Sequence, residues 1–296
     1  MKRWHADLIL LTVAMIWGSA FAVQRVAGRW MDPFTFNGLR FLLGALLLLP
    51  FIRLFKRNQL EGKPLYPQQK KYWLTYVPLA GLLLFAAGGL QQAGLETTTA
   101  GNAGFITSLY VVLVPILLAI FFRQKVHWIV WLAAGIAVLG SLLLSTGGKL
   151  YLSSGDALEL MGAVLWAGHV ILVGKAVKRL EVISFSAGQY LVAGGLNLGV
   201  SLVTRQSWAG LPTAWWTVIY IGFLSTAIGY TLQVYGQRTA PAADAAILLS
   251  TESVFAALTG YIFLAEGLHP VQILGCGLIL MAILLAQMRN DPSRAR

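Results

Sequence analysis

The chain has 296 residues, 57% hydrophobic and only 11% charged, less than half the charged share of about 25% in soluble domains. A globule of this size with so little polar surface would not stay dissolved, so the chain has to meet lipid. The 22 Lys and Arg against 11 Asp and Glu do not point to nucleic acid, because they gather at the ends of long apolar runs, where loop charge orients a membrane protein.

A spanning helix needs about 20 mostly apolar residues, rising about 1.5 Å each through a core about 30 Å thick. Ten segments qualify: 6-27, 33-52, 73-94, 98-121, 128-146, 156-177, 184-204, 213-236, 241-264 and 270-288. The expected fold is an all-α membrane protein of ten transmembrane helices, with residues 5-146 and 155-288 as two five-helix repeats.

The first segment follows Lys2-Arg3 and contains Ala20-Phe21-Ala22, which imitates a signal peptide with its cleavage site. Cleavage is not expected, since this helix has a counterpart later in the chain. It places Trp17, Phe21 and Gln24 on one face by i, i+4, i+7 spacing. The second segment holds Arg40 eight residues in, well inside the membrane. The third carries Pro78 and Gln91, and the fourth carries Pro115, with Asn102 near its start as a capping residue.

The sixth repeats the first, with Glu159, Gly162, Trp166 and His169 in one stripe and Asp156 at its N-terminal end, where cap and dipole pairing account for the acids. The seventh has Gly195 and Gly199 in a G-x-x-x-G that reads as close helix packing. The eighth puts Thr226, Tyr230, Gln233 and Gln237 on one face, and the ninth aligns Glu252 with Asp244, Leu248, Phe255 and Thr259. Asp244, like Asn102, is expected to cap. The single cysteine, Cys276 in the tenth, excludes an intramolecular disulfide and receives no role.

With a cytoplasmic N-terminus, seventeen of the 22 basic residues fall on the inner side; Arg25, Arg29, Lys149 and Arg205 fall outside, and Arg40 lies within a span. This bias expects both termini in the cytoplasm and a multi-pass protein of the cell's inner membrane.

Shifting the chain by 149 residues sets Asp7 on Asp156, Ala14 on Ala163, Trp17 on Trp166 and Phe36 on Phe185. A shift of 142 sets Gln91 on Gln233, Gly94 on Gly236, Ser108 on Ser250 and His127 on His269. One insertion, at the basic loop between the second and third spans, explains both registers. Five spans per repeat force opposite orientations, so the halves form an inverted repeat with its site expected near the midplane.

Trp17-Gly18-Ser19, Arg40-Phe41, the Gly-rich third span and Ala265-Glu266-Gly267 resemble the EamA-type family of the drug/metabolite transporter superfamily. The resemblance covers nearly the whole chain and implies a ten-helix carrier moving small metabolites or drugs, commonly outward. The copies depart from each other at Gln124 against Glu266 and at Gly18 against Ala167.

Polar groups inside spans cost several kcal/mol if unpaired and should face the bundle interior. Trp17, Gln24, Arg40, Gln91, Trp166, His169, Tyr230, Gln233 and Glu252 form the expected substrate pathway, the two tryptophans flanking a cavity and the glutamines suiting a polar or zwitterionic solute. Ordinary helix packing is the alternative for each, and for His169 alone it is the stronger reading. Arg40 and Glu252 are either an ion pair or functional charges, and Glu252, an acid in a cavity open to one side, is a candidate for proton coupling. No cofactor or metal is expected, and the partners are the bilayer, a small-molecule substrate and protons. Gly147-Gly148-Lys149 is followed by Leu150 and makes no nucleotide loop. An intramembrane enzyme or a passive channel is the alternative to a carrier, but no H-E-x-x-H or G-x-S-x-G motif supports the enzyme.

Overall fold

The computed structural model describes residues 1–59, 67–146, 153–264 and 269–288, which fold into helices throughout; Ala265-Glu266-Gly267 and the run at 147–149 lie outside the described residues. In chain order the helices are α1 (Arg3–Ala27), α2 (Pro33–Gln59), α3 (Pro67–Gly94), α4 (Ala100–Ser108), α5 (Tyr110–Phe122), α6 (Trp128–Thr146), α7 (Ser154–Ala176), α8 (Val182–Val203), α9 (Leu211–Tyr220), a π-helical segment (Ile221–Tyr230), α10 (Thr231–Gly236), α11 (Ala242–Leu249), α12 (Glu252–Leu264) and α13 (Pro270–Met288).

Among the described residues seven stretches are long and apolar enough to cross a membrane, including Arg3–Ala27, Ala100–Phe122, Leu211–Gly236 and Ala242–Phe263. Trp128–Leu144 and Pro270–Ala286 are shorter apolar helices, and α8 with its 22 residues is long enough for a tenth crossing. Helix starts follow the sequence. Asp32 accepts hydrogen bonds from the Phe34 and Thr35 amides ahead of α2, and Glu181, offset by 149 residues, does the same for Ile183 and Ser184 ahead of α8. Ser153 and Asp156 form a reciprocal capping box at α7.

Two crossings are broken at matching points. The 142-residue register sets Leu109 on Thr251, and the breaks fall between α4 and α5 and between α11 and α12. Ser108 and Ser250 each donate to the carbonyl three residues back, Phe105 and Ile247, and such back-bonding competes with the α ladder. The expected continuous face joining Asp244 to Glu252 therefore does not exist: each acid belongs to a different half-helix. Thr99 rather than Asn102 caps α4, by accepting from the Asn102 amide, and Asp244, in the first turn of α11, pairs with Arg3 at 3.1 Å.

The halves interlock through equivalent helices. α2 packs along α8, and α6 along α13, the latter so closely that a Cβ on Gly275 would lie 2.4 Å from the Gly140 carbonyl oxygen. α1 crosses α12 where a Cβ on Gly18 would lie 2.3 Å from the Phe255 Cβ. Gly195 and Gly199 have no atom within reach of an added Cβ, so the expected packing role passes instead to Gly188, against Val77, and Gly194, against Leu42.

Candidate functional site

At the centre of the bundle a cavity of about 30 Å³ is bounded by α1, α2, α3, α7, the broken helices and the π-helical segment. Its aromatic wall is built around Tyr230: the Trp17 ring centroid lies 4.6 Å away, and Trp166 stacks at 5.9 Å with 22° between planes. Trp17 Nε1 donates to the Ser225 carbonyl at 3.3 Å. The widened i+5 turn admits the indole beside Gly229, where a Cβ would sit 2.7 Å from Trp17 Nε1.

Two ionisable side chains, Arg40 and Glu252, face this space without forming an ion pair with each other. The described ion pairs are those of Arg3 with Asp7 and Asp244, so the alternative of an Arg40–Glu252 bridge is not realised. Arg40 is 1% exposed; its Nε donates to Asn37 Oδ1 at 2.6 Å and its guanidinium lies 4.4 Å from the Phe41 ring centre. One terminal nitrogen, Nη2, has no hydrogen-bond partner among the described residues. Glu252 is 2% exposed and accepts from Tyr110 Oη at 2.9 Å. Tyr110 and Glu252 occupy the same repeat position, 142 residues apart, and each opens the second half of its broken helix. Their hydrogen bond therefore joins equivalent points of the two halves.

Different hydrogen bonds flank the cavity on its two sides. On one side Trp166 Nε1 donates to Gln91 Oε1 at 3.0 Å, and Gln91 Nε2 to Gln24 Oε1 at 3.3 Å. Glu159 lies near that side, fully buried, with Oε2 accepting from Thr107 and Oε1 unpartnered among the described residues. This end of the bundle carries Asp32, Glu96 and Asp156; burial, and then the neighbouring Asp32 carboxylate, push the Glu96 carboxyl up from its ordinary value. On the other side Gln237 Nε2 donates to the Val170 carbonyl at 2.9 Å. Beyond that bond opens a vestibule of about 410 Å³ between α5, α6, α7 and α11, at the end rich in Lys and Arg.

All nine residues of the expected pathway set, Trp17, Gln24, Arg40, Gln91, Trp166, His169, Tyr230, Gln233 and Glu252, line the same cavity. Both polar atoms of the Gln233 amide lack partners among the described residues, while His169 Nε2 bonds Gln189 Oε1 at 2.9 Å and its Nδ1 has no partner among them. Thr226 and Gln237 do not line this space: Thr226 packs where Gly44 crosses it, because the π-helical turn breaks the i, i+4 face assumed for the eighth span. Sequence reasoning missed Thr107, Tyr110 and Ser225. The 142-residue register that pairs Tyr110 with Glu252 was the available signal for one of them.

A multi-pass helical bundle with a central cavity shared by two repeats has the architecture of an integral membrane transporter. The chain belongs to the EamA-like transporter family, whose model matches residues 4–146 and 153–288. It is 31% identical to an uncharacterized transporter of Archaeoglobus fulgidus, over 98% of this chain and 88% of that one. It is 26% identical to the uncharacterized inner membrane transporter YedA of Escherichia coli (94% and 89% covered) and 27% identical to the uncharacterized transporter YwfM of Bacillus subtilis (96% and 94%). A solved crystal structure superimposes with a TM-score of 0.77 at 17% identity, over 97% of this chain and 98% of the other, a likeness of fold.

Proposed function

We propose that this transporter exports a small zwitterionic metabolite, an amino acid or a related compound, by alternating access, with both termini in the cytoplasm of a cell whose inner membrane it spans. The observation that carries the reading is that a guanidinium, Arg40, and a carboxyl group, Glu252, face one cavity without an ion pair between them among the described residues. A guanidinium and a carboxylate held apart in hydrocarbon are each costly, and a solute bearing both signs offsets both costs at once. Trp17 and Trp166 supply flat apolar walls for its side chain, and a drug with a cationic group and a ring would use the Glu252 and tryptophan half of the same site.

The cavity of about 30 Å³ has room for about two waters. A loaded state therefore needs the halves to part, as rocking of inverted repeats supplies. Glu252 is the group proposed to couple solute movement to protons. A comparison of the medium of cells with and without the protein identifies the exported solute. Counterflow of that solute, labelled, in proteoliposomes then tests the carrier reading, and flux without counterflow would replace it with a channel.

A further inference from the structure

The vestibule at the basic end carries charges that the transport reading leaves unused. Four cations surround it: Lys125 from the α5–α6 connection, Lys175 and Lys178 from the end of α7, and Arg238 from the turn before α11. The one acid on its wall, Asp244, is paired with Arg3, and none of the four cations forms an ion pair among the described residues. Loop charge that merely orients a helix has no reason to converge; here residues from both repeats close on one space of about 410 Å³.

Neutral donors complete the lining. Thr239 lines it, and α11 begins at its edge, where the positive end of the helix dipole favours an anion. Lys175 is held in place over the Phe122 ring, 3.0 Å from its centre. Beside this mouth Ile120 and Phe121 are 66% and 71% exposed, an apolar flank fit for acyl chains.

We infer that the vestibule binds the phosphate headgroup of an anionic phospholipid, which bridges the two repeats at the basic end. Basic pockets between spans bind such headgroups, with each Lys or Arg near the surface contributing to attraction. The inference needs only that the bundle sits in a bilayer and holds for any transported solute.

Purified full-length protein in mild detergent, titrated with phosphatidylglycerol and separately with phosphatidylcholine and observed by native mass spectrometry, tests it. Phosphatidylglycerol should bind more tightly, and K178A/R238A should lower its affinity at least about tenfold while leaving phosphatidylcholine adducts and the melting temperature unchanged. The charge-preserving K178R/R238K should retain binding, which separates charge loss from misfolding. Equal binding of the two lipids overturns the inference, as does a phosphatidylglycerol preference that survives K178A/R238A. Inorganic phosphate is the third arm: if it binds more tightly than the lipid and displaces it, the occupant is a soluble anion and the lipid assignment fails.

Discussion

Arg40 and Glu252 define the site at the scale of single residues, and their consequences can be separated. Glu252→Gln keeps the shape and the Tyr110 bond while removing titration, so this variant should insert normally and exchange solute between two pools. It should lose accumulation driven by a pH gradient, measured in proteoliposomes; full pH-driven accumulation would remove Glu252 from coupling. Trp17→Ala and Trp166→Ala should each lower transport more than protein level, because the stack on Tyr230 is lost while the bundle keeps its helix contacts. Equal falls in both would return the indoles to packing. The cavity-lining residues were legible because a polar or charged group in an apolar span stands out against its surroundings. Tyr110 was not, since a tyrosine among Val and Leu reads as one more large apolar residue until its 142-residue partner proves to be an acid.

The elements were legible where periodicity is strong and illegible where hydroxyls intervene. Long apolar runs gave ten crossings, but hydropathy is blind to the breaks at Leu109 and Thr251, because Ser and Thr only slightly dilute an apolar window. At each break Ser108 or Ser250 bonds to its own preceding turn, which competes with the α ladder. Close approach explains why the two copies differ at Gly18 and Ala167: α1 meets α12 with no room for a methyl group. Gly18→Val should therefore push α1 off α12, costing about 1–3 kcal/mol. The expected readout is a lower melting temperature and less protein in the membrane; a variant as stable as the wild type would place α1 elsewhere.

For the whole molecule, the end with the basic vestibule and the end with Asp32, Glu96 and Asp156 give the bundle a charge polarity along its axis. Reporters fused after residues 60, 124 and 180 should lie in the cytoplasm, and those after residues 30, 150 and 208 outside, as the seventeen-to-four distribution of basic residues requires. An outside signal after residue 60 would overturn the inverted arrangement.

The bond between Tyr110 and Glu252 has a further consequence for the cycle. Were the two copies identical, rocking the bundle would interchange them, and the inward-open and outward-open forms would be mirror conditions of equal energy. A phenol in one copy and a carboxyl group at the same place in the other remove that degeneracy. Under the proposed rocking cycle, the resting population is then expected to be biased toward one side of the membrane before any solute or gradient is present.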